Sequence, residues 1–275
     1  MLEQLVYKNH RNEVFTFGKN GIYVNTNDLR DYEWKTQSKG DRITDFTRGI
    51  GSRTLPVVII CRTEKAANEA KNLLFETVEK DVLARKYGQI ILNGYYFRCY
   101  VTKSTKANYL QSKRYMTLTL TLKSEHPYWV KETKTSFKPE STVASNSTSG
   151  IDYPYDFNHD YLLPKTTTLY NNGFAPANFR AVIYGPCVNP SIVIGGHTYQ
   201  VNCVVGSGDR LTIDSTEKTI ILVQKDGSTV NVFSSRYRDS YIFEPIAAGN
   251  SAVLWGGTFS FDIILLEERS EPRWI

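Results

Sequence analysis

Apolar and polar positions alternate along most of the chain, and the period is two far more often than 3.6. Between Arg114 and Ser124 the alternation is strict. Met116, Leu118, Leu120 and Leu122 fall on one side, and Tyr115, Thr117, Thr119 and Thr121 on the other. A strand patterned this way packs one face and leaves the other to water or a partner. Near the N-terminus, Val14 to Phe17 alternate ahead of Lys19-Asn20-Gly21, with Ile22 and Val24 beyond. This predicts a hairpin whose turn uses the freedom of glycine at positive φ. Thr54 to Cys61 form a continuous apolar run bounded by Gly51 and by charge, which predicts a buried strand. Gln89 to Leu92 and Tyr95 to Val101 flank Asn93-Gly94, the strongest short hairpin signal in the sequence.

One segment changes period. Thr63 can cap a helix, with Glu64 and Glu69 near its positive end. Ala66, Ala70, Leu73, Leu74 and Val78 recur at spacings of three and four, while Lys65, Lys71, Glu76, Glu79 and Lys80 lie off that stripe. The spacing predicts an amphipathic helix closed by Gly88.

The pattern stops after Trp129. Residues 131–150 hold nine Ser or Thr and one aromatic, a composition that buries little surface and predicts a linker or excursion. From about Thr166, short apolar segments return between turn clusters such as Gly195-Gly196, Gly206-Ser207-Gly208, Asp226-Gly227 and Gly249-Asn250. Strands are expected at residues 178–184, 191–194, 197–204, 210–213, 219–223, 231–233, 241–243, 251–255 and 259–266, with no helix. In the last of them Phe259, Phe261, Ile263 and Leu265 face one way, and Thr258, Ser260 and Asp262 the other. Regular short strands of this kind predict an antiparallel β-sandwich. The fold class is therefore mainly β. An α+β N-terminal domain spans residues 1–130, a linker or excursion 131–164, and a C-terminal antiparallel β-sandwich 165–275.

Composition adds exclusions. The 275 residues are 41% hydrophobic and 22% charged, a globular balance that excludes wholesale disorder. Tyr 18, Phe 13 and Trp 4 against two Met suit β structure with partly wet faces. The net charge of +5 is unevenly spread: residues 1–129 carry 21 basic and 13 acidic side chains, and residues 130–275 carry 12 and 15. The first residues lack the apolar core of a signal peptide, and the longest apolar stretch, Leu55 to Cys61, is far too short to span a bilayer as a helix. No membrane association is expected. Cys61, Cys99, Cys187 and Cys203 form no CxxC pair, so reduced, buried thiols are expected. Whether Cys187 and Cys203 meet in the sandwich stays open.

Catalytic patterns are missing from the sequence. There is no GxxxxGK[ST], GxSxG or HExxH, and Gly49-Ile50-Gly51-Ser52 precedes a strand rather than opening a helix as a phosphate cradle would. His10, His126, His159 and His197 sit in four separate contexts. Asp156, His159 and Asp160 have a spacing that could hold a cation, but a polar turn accounts for it, as turn positions do for Asp209, Asp214 and Asp226. No catalytic residue, cofactor or metal site is expected. One charge pattern stands out: residues 98–123 hold Arg98, Lys103, Lys106, Lys113, Arg114 and Lys123 and no acid. It reads either as a solvated loop or as a surface docking an acidic partner or a passing polyanion. Lys103, Lys106, Lys113 and Arg114, with the Asn93-Gly94 turn, are the candidate interface residues.

Three stretches in order carry a family likeness. The first is the N-terminal hairpin with Tyr32-Glu33-Trp34 and Arg42-Ile43-Thr44-Asp45-Phe46. The second is His126-Pro127-Tyr128-Trp129. The third is Ile151-Asp152-Tyr153-Pro154-Tyr155-Asp156-Phe157, followed by Tyr184-Gly185-Pro186 and Asn189-Pro190. From about residue 10 to 268 this order resembles the siphophage distal tail protein (Dit) family, whose members often carry Asp where His126 stands. The resemblance implies a structural protein of the virion, made in the host cytoplasm. It implies a homo-hexameric ring at the tail tip, built by the N-terminal domain, with a protruding hairpin that belts onto its neighbour. The outward C-terminal domain would be a galectin-like or carbohydrate-module-like sandwich. Such a ring joins the tail tube protein to the tail-associated or receptor-binding baseplate protein, and DNA passes through its lumen without specific binding. The alternative is a carbohydrate-binding adhesin acting through the sandwich, where Trp255 and Trp274 are the tryptophans available as platforms. A glycan-cleaving enzyme is a third reading with less behind it.

Overall fold

The structure, a computed structural model, describes residues 4–107, 112–139 and 167–274. They fall into two units: Met1–Lys131 with Glu268–Ile275, and Glu132–Glu267. The chain therefore passes from one unit to the other twice.

The first unit contains β1 (Leu5–Lys8), β2 (Val14–Thr16), β3 (Ile22–Val24), β4 (Lys35–Lys39), β5 (Arg42–Thr47), β6 (Gly51–Ile60), α1 (Glu64–Ala84), β7 (Gly88–Leu92), β8 (Tyr95–Lys106), β9 (Tyr115–Ser124) and the start of β10 (Trp129–Phe137). One ladder runs β2-β1-β7-β8-β10 and another joins β3, β6, β9 and β8. All these pairings are antiparallel. The long strand β8 serves both ladders. Residues 95–99 pair with β7, and from Tyr100 onward the strand pairs with β9, with a register shift between Val101 and Lys103 inside that second ladder. The extra residue, Thr102, is a bulge just past the switch and bends β8 locally within the β8–β9 ladder. The Asn93-Gly94 turn joins β7 to β8 as expected, with φ of 53° and 77°. Met116, Leu118, Leu120 and Leu122 are buried and the Thr face of β9 is half-buried.

Three local readings differ. Lys19-Asn20-Gly21 is a tight turn, but β2 pairs with β1 and β3 with β6, so the strands separate instead of forming a hairpin. The Thr54 to Cys61 run is not buried throughout: Leu55, Val57 and Ile59 are inside, whereas Pro56 and Val58 are half-buried and Ile60 is exposed. The helix begins as predicted, with the Thr63 hydroxyl accepting from Ala66 N–H at 3.2 Å. It ends at Ala84, where Arg85 adopts φ 52°, and Gly88 opens β7 instead. The helix face in the core is Ala67, Ala70, Leu74, Thr77, Val78 and Asp81. Ala66 and Leu73 stand off it.

The second unit holds the rest of β10, then β11 (Thr167–Asn171), β12 (Asn178–Tyr184), β13 (Cys187–Val188), β14 (Ser191–Ile194), β15 (His197–Gln200), β16 (Val204–Val205), β17 (Arg210–Asp214), β18 (Thr219–Val223), β19 (Thr229–Asn231), β20 (Gly249–Trp255) and most of β21 (Phe261–Arg269). The order β19-β18-β17-β12-β21 forms one sheet and β11-β20-β14-β15 a second, with β13–β16 as a small separate ladder. Phe179, Phe261, Leu211, Ile192 and Val253 belong to one continuous core drawn from both sheets. Two expected strands differ: the one expected at 231–233 lies at Thr229–Asn231 as β19, and the one expected at 241–243 is absent. Residues 233–235 form a short 3-10 helix, and Tyr241 to Phe243 lie in an irregular segment. Residues 132–137, read as the start of a linker, continue β10. The eight C-terminal residues, expected in the sandwich, belong to the first unit.

Candidate assembly surfaces

Every residue from Asp31 to Phe46 is exposed, and this stretch contains the β4–β5 ladder. Gly40, at φ 61°, makes its turn. The hairpin pairs with no other strand among the described residues, and it carries Ile43 at 58% and Phe46 at 57% exposure. A lone two-stranded hairpin is marginal in water, and apolar side chains on it have nothing of their own unit to cover them.

The base of the hairpin is anchored firmly. The Arg48 guanidinium lies 4.4 Å from the Trp34 ring, 4.6 Å from Tyr128 and 5.5 Å from Tyr32. It donates to Pro127 O at 2.7 Å and to the Ser270 hydroxyl. Burial holds its pKa below the ordinary value; Tyr128 and Tyr32 oppose that and Arg53 adds to it. His126, where the resembled family often has Asp, stacks at 4.7 Å on Tyr128 and stands 3.2 Å from Glu268. Trp129 is core: it is fully buried, packs at 5.5 Å on Phe97, and donates to Leu29 O. Tyr32, Trp34, Pro127 and Tyr128, apart in sequence, thus belong to one cluster with Arg48 at the root of the hairpin, while Trp129 belongs to the core. Tyr153, Pro154, Tyr155, Asp156 and Phe157, like His159 and Asp160, lie outside the described residues.

The basic residues divide between strand and connection. Lys103 and Lys106 are on β8, and Lys113 and Arg114 immediately precede β9; all four are exposed. The expectation that they lack a nearby acid fails at Lys113, whose ammonium reaches Glu64 at the helix start at 3.0 Å. Sequence spacing hides that pair, because Glu64 is brought in by the fold. Arg114 donates to Arg62 O, and Lys106 sits 4.4 Å from the Phe75 ring. At the other hairpin, Asn93 donates to Arg273 O at 3.2 Å and Gly94 is exposed. The structure does not bring this turn into the basic group: a strand's length separates Asn93 from Lys106.

In the second unit the turn aspartates behave as turn residues. Asp209 accepts from Gly206 and Lys225 N–H, Asp214 from Thr216 and Glu217 N–H, and Asp226 from Ser228 N–H. Trp255 packs against Phe137 and Phe261 and donates to Phe259 O, so it is not a platform. Trp274 belongs to the first unit, where Arg30 lies 3.7 Å over its ring. Of the cysteines only Cys99 is fully buried, and burial pushes its thiol up to about 12. Cys187 pairs with Val205, and Asn189 N–H donates to Cys203 O, so Cys187 and Cys203 sit diagonally on one ladder as free thiols. The residue pattern did not place a hairpin at β4–β5, although the family resemblance implies a protruding hairpin in this unit. The usable signal for β4–β5 was the Ser38-Lys39-Gly40-Asp41 turn.

No protein-family model and no curated protein matches the chain. Solved structures do. A chain of the phage p2 baseplate in its activated conformation with calcium aligns over 99% of this chain and 100% of its own, at TM-score 0.67 and 12% identity. The same baseplate with strontium gives 0.67 and 11% with the same coverage. The SPP1 Dit protein, described as a paradigm of the hub adsorption apparatus in phages infecting Gram-positive bacteria, aligns over 98% of this chain and 100% of its own, at TM-score 0.59 and 10% identity. The fold is shared with these phage hub and baseplate chains through both units.

Proposed function

We propose that this chain is a distal tail hub subunit of a siphophage virion. Six copies close into a ring through the first unit, and the ring joins the tail tube protein to the receptor-binding or tail-associated baseplate protein. DNA crosses the lumen without specific contact, and the role is structural rather than enzymatic. The observation that carries this reading is the end-to-end likeness of both units to the SPP1 Dit and p2 baseplate chains. The exposed β4–β5 hairpin supports it. An apolar-bearing hairpin with no cover in its own unit suits a belt laid on the neighbouring copy, and closed cyclic symmetry satisfies six such surfaces at once.

The test is native mass spectrometry with negative-stain imaging of the purified chain. Six or twelve copies of the 31.4-kDa chain in ring-shaped particles are expected. A strict monomer at high concentration and in purified tails would overturn the reading.

A further inference from the structure

The second unit carries a cavity of about 580 Å³, within the range of small-molecule sites, roughly 300–1,000 Å³. Its floor is Ile242 and Phe243, both buried, and its exposed rings are Tyr241 at 54% and Phe233 at 37%. Phe233 stacks on Phe243, and Tyr241 meets Phe243 edge-on, each at 6.0 Å between centroids. Cations stand among these rings. The Arg236 guanidinium lies 4.2 Å over Phe233, and the Lys218 ammonium lies 5.5 Å from Tyr241 and 5.4 Å from Phe243. Arg238, exposed like Lys218, adds a third cation beside the half-buried Arg236, against one acid in the lining, Asp239.

The irregular segment that forms the cavity is held in place. Tyr237 N–H donates to Gln200 O at 3.0 Å, Asn202 N–H to Ser235 O at 2.7 Å, and the Ser240 hydroxyl to Thr198 O at 2.6 Å. His197 bonds Tyr241 O at 2.9 Å. A pre-organised site pays little ordering entropy on binding. Flat exposed rings suit the apolar face of a sugar ring. Three cations around them suit an anion on that sugar, because arginine and lysine recognise carboxylate and phosphate by charge-assisted hydrogen bonds.

We infer that this cavity binds a saccharide bearing a carboxylate or phosphate, with Tyr241 against the ring and Arg236, Lys218 and Arg238 around the anion. This goes beyond the scaffold role and does not depend on it. The probes are a galacturonate trisaccharide, N-acetylglucosamine 6-phosphate and neutral maltotriose, titrated calorimetrically into the full chain at low salt. At least one acidic probe is expected to bind tenfold or more tightly than maltotriose, and the stronger one identifies the anion. Tyr241→Ala and the pair Lys218→Ala with Arg236→Ala are each expected to weaken it at least tenfold, while Lys225→Ala, at an exposed lysine of the same unit outside the lining, leaves it unchanged. Absence of binding by both acidic probes overturns the inference. So does equal binding of maltotriose, or binding that Tyr241→Ala leaves intact, which would mean attraction by surface charge alone.

Discussion

Leu74 is fully buried, whereas Leu73, about 100° away around the helix, is 36% exposed. Leu74→Ala should cost about 2–5 kcal/mol through lost contacts and a cavity. Leu73→Ala should cost less than about 1 kcal/mol, close to an ordinary surface change. Denaturant midpoints of the two variants measure the contrast, and equal losses would contradict the packing. The sequence stripe includes Leu73 because periodicity weighs apolar identity, yet Thr77 and Asp81 occupy that side of the core. Asp81 is fully buried because distant partners satisfy it: Tyr7 donates its hydroxyl at 2.6 Å and His10 its backbone N–H at 2.8 Å. Partners some seventy residues away leave no local trace in the sequence. Asp262 is a second buried carboxylate, bonded by Lys134 at 2.7 Å and Tyr184 at 2.6 Å. Burial raises its pKa, but hydrogen bonds from Lys134, Ser136 and Tyr184 outweigh that and hold it below the ordinary carboxylate value. A lowered folded pKa means stabilisation that is fully present above the unfolded value, about 3.9, and lost as pH falls through the folded one. Asp262→Asn should therefore lower the melting temperature at pH 7, with the gap to the parent narrowing below about pH 4. A gap that does not change with pH would assign the loss to packing instead of charge.

At the scale of elements, sequence legibility follows how much of the signal is local. The strands β7, β8 and β9 and the start of α1 were readable because alternation, the Asn93-Gly94 turn and the Thr63 cap lie within each element. Tyr241 to Phe243 read as a strand because three bulky apolar residues in a row resemble one. Ile242 and Phe243 are indeed buried, but as the floor of a loop. The β4–β5 hairpin escaped because Lys35-Thr36-Gln37-Ser38-Lys39 has no apolar residue, and all five are exposed. A hairpin with no packed face in its own unit contributes little to the stability of the single chain. Replacing both Ile43 and Phe46 by Ser should thus leave the monomer's denaturation midpoint within about 0.5 kcal/mol of the parent's stability. The same pair should abolish or strongly weaken assembly, read by light scattering across a concentration series. Normal assembly by the double variant would remove the hairpin from the interface.

At the scale of the whole molecule, the excess of positive charge in residues 1–129 over residues 130–275 bears on how copies associate. Lys103, Lys106 and Arg114 are exposed cations near one end of the β8–β9 ladder, and Lys113 is partly compensated by Glu64. Interaction between exposed charges is screened beyond roughly 10 Å at 0.1 M salt, and each exposed pair contributes only about 0–1 kcal/mol. One substitution should therefore do little, while assembly as a whole should weaken as salt rises. Lys103→Glu, Lys106→Glu and Arg114→Glu together reverse the sign in every copy of a ring, so small terms repeat and attraction to a partner's carboxylates becomes repulsion. Lys113 is best left alone, because Lys113→Glu would face Glu64 and disturb the helix start within one chain. The triple variant should keep the parent's melting temperature and lose assembled particles, while the parent's own particles dissociate as salt rises. Rings that form normally, with the parent's salt response, would make this stretch a solvated face and leave the hairpin as the contact that closes the ring.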